Sequence, residues 1–218
     1  MAPLRRKEPE MDETLPWQQM GMIAGIILAA GESRRMQEPK ALLKMGRFTF
    51  AEVIATKLTQ CAIGVKYLVV GPHYEQIKKQ LRGKVDLDFI LNTHYREGQL
   101  SSLKEGLRNL PTGSTEALVW PVDQPLVKLE TGRTVLAAFQ IERKHLTIPV
   151  FDGKRGHPVV YDIAAIHAAF SLKKNQTAKE LQQIFSKETT FVEVEDEGVV
   201  RDIDTPEDYQ KYIKDAGL

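Results

Sequence analysis

The chain has 218 residues, of which 42% are hydrophobic and 27% charged, with 30 basic and 29 acidic side chains and a formal net charge of +1. This composition indicates an ordinary globular protein, and the near balance of charge argues against a nucleic-acid binder. The single cysteine, Cys61, excludes an intrachain disulfide framework, and no apolar run reaches membrane-spanning length. We therefore expect a reduced, cytoplasmic protein with neither nucleic acid nor membrane as partner.

The N-terminal segment 1–21 mixes basic and acidic residues and contains no apolar stretch of signal-peptide length. We expect it to be a poorly ordered leader, followed by a single domain from 22 to 218. The first strong element of that domain is the continuous apolar run MIAGIILAA at 22–30. A run that is apolar on both faces is typical of a central parallel strand.

Further apolar strands alternate with stretches of helical periodicity along the chain. The predicted strands are 22–30, 66–70, 87–91 and 117–122, and the predicted helices are 50–61, 74–81, 100–110 and 132–144. This alternation predicts an α/β fold of the Rossmann-like kind, with a mostly parallel sheet and helices on both of its faces.

The alternation changes after the fourth predicted helix. Segments 147–151 and 157–161 flank Asp152-Gly153, a pair typical of hairpin turns. We therefore expect a β-hairpin excursion from the parallel sheet, at a place suited to substrate contacts. Two helical stretches, a strand near 191–194 and a last helix from Pro206 complete the predicted domain.

The segment from Leu28 to Met36 follows the first strand, where loops of a parallel sheet face the ligand crevice. Its small residues 29–31 and Ser33 let backbone amides approach a phosphate chain. Positive charge is supplied by Arg34, Arg35 and Lys40. The alternative is an ordinary βα turn with a solvated charged face. Neither the G-x-x-x-x-G-K-[ST] nor the G-x-G-x-x-G phosphate loop is present.

Carboxylates stand at two further places. Asp123 closes the fourth predicted strand, where a carboxylate suits a hard cation such as Mg²⁺, although it can also simply begin the turn before Pro125. Asp202 and Asp204 precede the last helix on what we interpret as a strand. Alternation along that strand places both on one face, with Ile203 on the other.

Helix capping explains part of the second carboxylate segment. Thr205 suits the N-cap, Pro206 the first helical position and Asp208 a capping box. Asp202 and Asp204 have no such explanation, and we prefer Asp202 as a ligand.

The motif L-A-A-G-x-S-x-R-M, followed by P-K at Pro39-Lys40, resembles the signature of the MobA-like nucleotidyltransferases. These include the molybdenum-cofactor cytidylyl- and guanylyltransferases and related sugar-phosphate enzymes. The resemblance implies that Arg35, Lys40 and Asp123 form the catalytic set. It also implies that Mg²⁺ is held by Asp123 together with Asp202, the first aspartate of the D-x-D-T-P-E-D motif at 202–208. It implies a nucleotide-binding set of Leu28, Ala29, Ala30, Gly31, Gly98, Ser101 and Ser102.

The motif that would contact the second substrate, the acceptor of the nucleotidyl group, resembles the family less closely. G-H-P-V at 156–159 resembles the molybdopterin-cytidylyltransferase branch and implies that His157 contacts the acceptor. A lone histidine is more often structural, and a serine at 101 or 102 can be a plain N-cap. Two departures are visible, since Gln37 replaces the glycine often found after R-M, and K-N-Q-T-A-K replaces a G-D-x-G-A-R loop.

The resemblance implies transfer of CMP from CTP to molybdopterin with release of pyrophosphate, since A-A-G resembles the cytidylyl branch more than the guanylyl branch. It also implies a molybdoenzyme or cofactor-insertion protein as partner. Alternatives are nucleotidyl transfer to a sugar or alcohol phosphate, and a nucleotide-binding regulator without turnover.

Overall fold

The computed structural model describes residues 22–217. The strands are β1 (Ile23–Ala29), β2 (Lys44–Met45), β3 (Phe48–Thr49), β4 (Lys66–Val70), β5 (Asp88–Leu91), β6 (Glu116–Pro121), β7 (Leu146–Phe151), β8 (Lys154–Arg155), β9 (Val159–Asp162) and β10 (Thr189–Glu193). The α-helices are α1 (Phe50–Gln60), α2 (Tyr74–Leu81), α3 (Gln99–Arg108), α4 (Leu129–Glu142), α5 (Ile163–Ser171), α6 (Lys179–Ile184) and α7 (Pro206–Tyr209). Short 3₁₀ turns lie at Lys40–Leu42, Tyr95–Glu97 and Glu197–Val200, and a π turn lies at Gln210–Lys214.

One mixed sheet forms the centre, in the order β10-β7-β9-β6-β1-β4-β5, with β8 paired to β7 and a separate β2-β3 ribbon. Along this path every neighbouring pair is parallel except the two pairs that β9 makes. The predicted α/β fold with a mostly parallel sheet is therefore confirmed.

The predicted antiparallel pairing of 147–151 with 157–161 is confirmed, because β7 and β9 are antiparallel neighbours, but a further short strand lies between them in the chain. Asp152 and Gly153 do form a turn, with φ of 49° and 70°, but they join β7 to the two-residue β8. The segment predicted at 157–161 supplies β9, which lies between β6 and β7 and pairs antiparallel with both. It is a central strand because Val159, Val160 and Tyr161 are all buried.

The apolar pattern of β1 follows from packing on both faces of the sheet. Ile23 and Ile27 belong to one core with α1, α2 and α4, whereas Ile26 and Leu28 belong to a second core with α3, α5 and α6. Alternate side chains of a strand point to opposite faces, so a strand covered on both sides must be apolar throughout.

The predicted leader, 1–21, lies outside the described residues. Within 22–217, no helix combines the length and the apolar character needed to cross a membrane.

Candidate active site

A crevice of about 600 Å³ opens where β1 and β6 end and where the chain enters β9. The site residues predicted from sequence that line it are Leu28, Ala29, Ala30, Gly31, Arg35, Lys40, Gly98, Ser102, Asp123, His157 and Asp202. Ser101 belongs to the predicted set but not to this lining. The crevice therefore has the position expected of a ligand site in an α/β sheet.

The loop after β1 is shaped by two left-handed residues, Ser33 with φ of 49° and Gln37 with φ of 58°. The carbonyl of Ser33 accepts from the amides of Met36 and Gln37, both at 3.0 Å, and its hydroxyl accepts from the amide of Lys40 at 3.2 Å. Because residue 37 is left-handed, glycine is the residue best suited to it, which explains the family preference from which Gln37 departs.

Two cations and two carboxylates meet in the crevice. The ammonium of Lys40 donates to Asp123 Oδ2 at 2.9 Å and also to Asp204 Oδ1. The guanidinium of Arg35 donates to Asp204 Oδ2 at 2.8 Å. Lys40 is largely enclosed, with 15% of its side chain exposed, whereas Arg35 is 65% exposed. Asp204 thus binds both predicted phosphate-gripping cations, a role that sequence reasoning did not assign to it.

These ion pairs favour the charged forms of Lys40 and Asp204. Burial acts to lower the pKa of Lys40, but Asp123 and Asp204 outweigh it and the net shift is upward. Burial likewise acts to raise the pKa of Asp204, but Lys40 and Arg35 outweigh it and the net shift is downward. The crevice therefore contains cations that are already paired with carboxylates.

Asp202 is held by a different neighbour, Gln124, whose Nε2 donates to Asp202 Oδ1 at 2.7 Å. Burial, together with the neighbouring Asp123 and Asp204, raises the pKa of Asp202. Gln124 is 5% exposed, and its Oε1 has no hydrogen-bond partner. Gln124 was not predicted as a site residue, although its position directly after Asp123 in the sequence indicates that it lies near the site.

The segment carrying Asp202 and Asp204 is not the strand that the sequence suggested, since 201–204 belong to no regular element. Its side chains nevertheless alternate between two faces as predicted. Both carboxylates line the crevice, whereas Ile203 is fully buried and its amide donates to the carbonyl of Asp123 at 2.8 Å. The predicted capping box of Thr205 and Asp208 on α7 is confirmed.

The donor set suits a divalent cation that arrives with phosphate. Among the described residues, no three His, Cys, Asp or Glu side chains form a ready metal cage. Mg²⁺ does not require one, because it is commonly held by one or two carboxylates plus water and substrate phosphates. Asp123 and Asp202 provide two such carboxylates on one wall, close enough for the charge of Asp123 to raise the pKa of Asp202.

The loop before α3 is organised by Asn92, which directly follows β5 and is 1% exposed. Its Nδ2 donates to the hydroxyls of Ser101 and Ser102 at 2.9 and 3.1 Å, and its Oδ1 accepts from the amide of His94 at 2.8 Å. The N-cap of α3 is Gly98, so neither serine is the plain cap considered above. Ser101 is engaged within the loop, whereas Ser102 lines the crevice.

His157 lies at the junction between the main crevice and a second cavity of about 240 Å³. The second cavity is also lined by Tyr161 and by 174–178, the segment that departs from the family pattern. Burial lowers the pKa of His157 to about 4, against the influence of Asp123. The imidazole is therefore neutral at pH 7.

Comparison with known proteins gives this site a family context. A family model described as the MobA-like NTP transferase domain matches residues 25–190. The molybdenum cofactor cytidylyltransferase of Escherichia coli K12 is 25% identical over 192 residues, covering 87% of this chain and 95% of that protein. A probable molybdenum cofactor guanylyltransferase of Bacillus cytotoxicus is 26% identical over 138 residues, covering 62% of this chain and 66% of that protein.

Solved structures agree on the fold. Rv0371c of Mycobacterium tuberculosis H37Rv superposes with a TM-score of 0.76 at 21% identity, covering 89% of this chain and 98% of that chain. The manganese complex of Rv0371c superposes with a TM-score of 0.72 at 19% identity, covering 89% and 98% of the respective chains. At these identities the likeness establishes the architecture alone.

Proposed function

Because this chain belongs to the MobA-like NTP transferase family, we propose that it transfers a nucleoside monophosphate from a triphosphate to a phosphorylated acceptor. The observation that carries the proposal is the meeting of Arg35, Lys40 and three aspartates at the ends of β1 and β6. Such a set provides cations for phosphate oxygens and carboxylates for a divalent ion, with no protein nucleophile.

In the proposed reaction an acceptor phosphate oxygen attacks the α-phosphorus of the triphosphate. A new P–O bond forms, the bond between the α-phosphorus and its bridging oxygen breaks, and pyrophosphate leaves with the electron pair. Lys40 and Arg35 would neutralise the negative charge that develops on the leaving group. Amides of the loop after Ala30 would hold phosphate oxygens, since small side chains leave them accessible.

We assign the divalent ion to Asp123 and Asp202, with Gln124 fixing the orientation of the Asp202 carboxylate. When bound there, Mg²⁺ would supply charge neutralisation to the phosphate oxygens. The manganese complex of Rv0371c supports a divalent ion in this fold.

CTP is our favoured nucleotide and molybdopterin our favoured acceptor. The A-A-G sequence of the loop and the likeness to the E. coli cytidylyltransferase support CTP. The guanylyltransferase likeness makes GTP the nearest competitor. We place the acceptor beside His157, where a neutral imidazole can exchange hydrogen bonds with an organic ring or a phosphate.

A second candidate is transfer to a sugar or alcohol phosphate, favoured by the K-N-Q-T-A-K segment that borders the second cavity. A regulator that binds nucleotide without turnover is a third. The three are separated by measuring pyrophosphate release with each nucleoside triphosphate and Mg²⁺, with molybdopterin, with sugar phosphates and with no acceptor.

The control for this assay is Asp123→Asn, which removes one coordinating charge from a half-buried side chain. We expect it to abolish release while the circular dichroism spectrum stays unchanged. Nucleotide binding without release for every acceptor would favour the regulator, and full activity of the variant would reject Asp123 as a ligand.

A further inference from the structure

Lys57, in α1, lies behind the crevice and not in its lining. Its ammonium donates to the carbonyl oxygens of Pro125 and Val127, each at 2.7 Å. Both acceptors belong to the loop from 123 to 128, which joins β6 to α4 and carries Asp123. Lys57 therefore ties the helix that follows the phosphate loop to the loop that carries a proposed metal ligand.

The 123–128 loop depends on donors from elsewhere because it belongs to no helix or strand. The carbonyl of Asp123 accepts from the amide of Ile203 at 2.8 Å, and that of Gln124 from the indole of Trp120 at 3.0 Å. With the two bonds from Lys57, four of the first five carbonyls of the loop have partners outside it. An unpaired buried carbonyl is costly, so losing Lys57 would release the loop at two points.

The buried carboxylate of Asp196 connects the 123–128 loop to the segment that precedes Asp202, the second proposed metal ligand. Asp196 is 3% exposed and accepts from the amide of Lys128 at 2.8 Å, the hydroxyl of Thr131 at 2.6 Å and the amide of Gly198 at 3.0 Å. Asp196 therefore joins the 123–128 loop and α4 to the turn that leads to Asp202.

The backbones of these two segments are in close contact. A Cβ atom on Gly198 would lie 2.8 Å from the backbone carbon of Leu126 and the nitrogen of Val127. The amide of His157 donates to the carbonyl of Val199, in the same turn, at 3.0 Å. A displacement of the 123–128 loop would thus be transmitted to the segments that carry His157 and Asp202.

The ammonium of Lys57 is not isolated in this setting. Burial lowers its pKa to about 8, whereas the carboxylates of Asp196 and Glu130 act to raise it. The two short bonds to carbonyl oxygens satisfy two of its three donors.

We propose that Lys57 is a positioning residue, which fixes the loop of Asp123, and through it the turn before Asp202, in the geometry that binds the metal–nucleotide complex. This inference rests on the proposed function. It assigns no contact between Lys57 and substrate. Replacing Lys57 should therefore lower the affinity for the metal–nucleotide complex by more than the loss of fold stability explains.

The test compares Lys57→Met with a matched variant, Lys66→Met. Lys66 is also a buried lysine, with 2% of its side chain exposed, and it donates to the carbonyls of Ile63 and Gly64 at 3.2 and 3.0 Å and to Asp86 Oδ2, on a 90% exposed side chain, at 3.0 Å. It begins β4, at the end of the sheet opposite the crevice. Methionine retains the length of the side chain and removes the donors in both variants.

Mn²⁺ binding in the presence of CTP, without acceptor, is measured from the electron paramagnetic resonance of free Mn²⁺, and melting temperatures are measured alongside. We expect both variants to melt earlier than wild type. Lys57→Met should weaken Mn²⁺–CTP binding by about 10- to 100-fold, the range seen when residues supporting metal ligands are removed. Lys66→Met should bind as wild type does.

Wild-type affinity in Lys57→Met, or an equal loss in both variants, would overturn the positioning role. If the wild-type protein binds no Mn²⁺ with any nucleoside triphosphate, the proposed function fails as well. Should Lys57→Met not fold, Lys57→Gln takes its place, because its amide retains N–H donors on an uncharged side chain that is one bond shorter, and the same two outcomes decide.

Discussion

At the scale of single residues, the proposed function requires Lys40 and Arg35 to exchange their carboxylate partners for phosphate oxygens. Both cations are bound by carboxylates, Lys40 by Asp123 and Asp204 and, within residues 22–217, Arg35 by Asp204 alone. Lys40 is the more enclosed of the two, so its attraction for phosphate oxygens is screened less by water. We therefore rank Lys40 above Arg35 in its contribution to catalysis.

Lys40→Ala should lower kcat/KM for the nucleotide by about 10²-fold or more, the scale seen when one electrostatic donor is removed. Arg35→Ala should lower it less, because its guanidinium is mostly solvated. Steady-state kinetics at fixed acceptor concentration provide the measurement. Lys44→Ala is the control, since Lys44 is exposed and its ammonium donates, among the described residues, only to the carbonyl of Arg47 at 3.4 Å. Unchanged kinetics in both site variants would refute the assignment of the phosphate loop.

His157 makes a pH-dependent contribution to stability. Its pKa falls from 6.5 in the unfolded chain to about 4 in the folded protein. Between these values the unfolded chain binds a proton that the native state does not, so the free energy of unfolding decreases as the pH is lowered through this window. His157→Gln should reduce this loss. Melting temperatures between pH 6.5 and pH 4.5 provide the measurement, and parallel curves for the two proteins would show that His157 is not responsible.

At the scale of elements, the strands that the sequence predicted best are those apolar on both faces. The runs at 22–30 and 66–70 match β1 and β4 closely. A strand that is buried on both faces forms a continuous apolar run, and the ends of such a run are easy to recognise in the sequence. The Asp152-Gly153 turn was also predictable, since both residues take the left-handed conformation that this pair favours. Neither the pairing of β9 with β6 nor the support from Lys57 was predictable. Both depend on contacts between segments far apart in the chain.

Gly156 shows how closely the entry to β9 is packed. A Cβ atom there would lie 2.2 Å from the carbonyl oxygen of Val199, so Gly156→Ala must move one of the two backbones. We expect a loss of about 1 to 3 kcal/mol, the usual range for overpacking. Chemical denaturation measures it, with Gly64→Ala as control, because within residues 22–217 no heavy atom beyond its chain neighbours lies within 4 Å of a Cβ built on Gly64. Equal stability of the two variants would contradict the close approach.

At the scale of the whole molecule, the two cores on opposite faces of the sheet hold fixed the strand ends from which the site is built. The site itself is assembled from segments distant in sequence, the loop after β1, the loop after β6, the entry to β9 and the C-terminal 201–204. A ligand that contacts all of these segments should stabilise the fold as a unit.

CTP with Mg²⁺ at about 100 times its dissociation constant should add about 2.7 kcal/mol to the free energy of unfolding. For a protein of this size that corresponds to a rise in melting temperature of about 5 to 10 °C. Differential scanning fluorimetry checks it, with Asp123→Asn, for which we expect a smaller shift, as the comparison. No shift with any nucleoside triphosphate would contradict the assembled site.

The ion pairs of Lys40 also have a consequence for the resting protein. With its ammonium between Asp123 and Asp204, the site carries its own counterion. Under the proposed function, Lys40 would compete with a bare divalent ion for Asp123, and Asp204 would compete with orthophosphate for Lys40. A triphosphate that arrives already complexed to its metal would satisfy both sides of this competition at once. The internal ion pair would thereby favour binding of the complex over binding of either component alone.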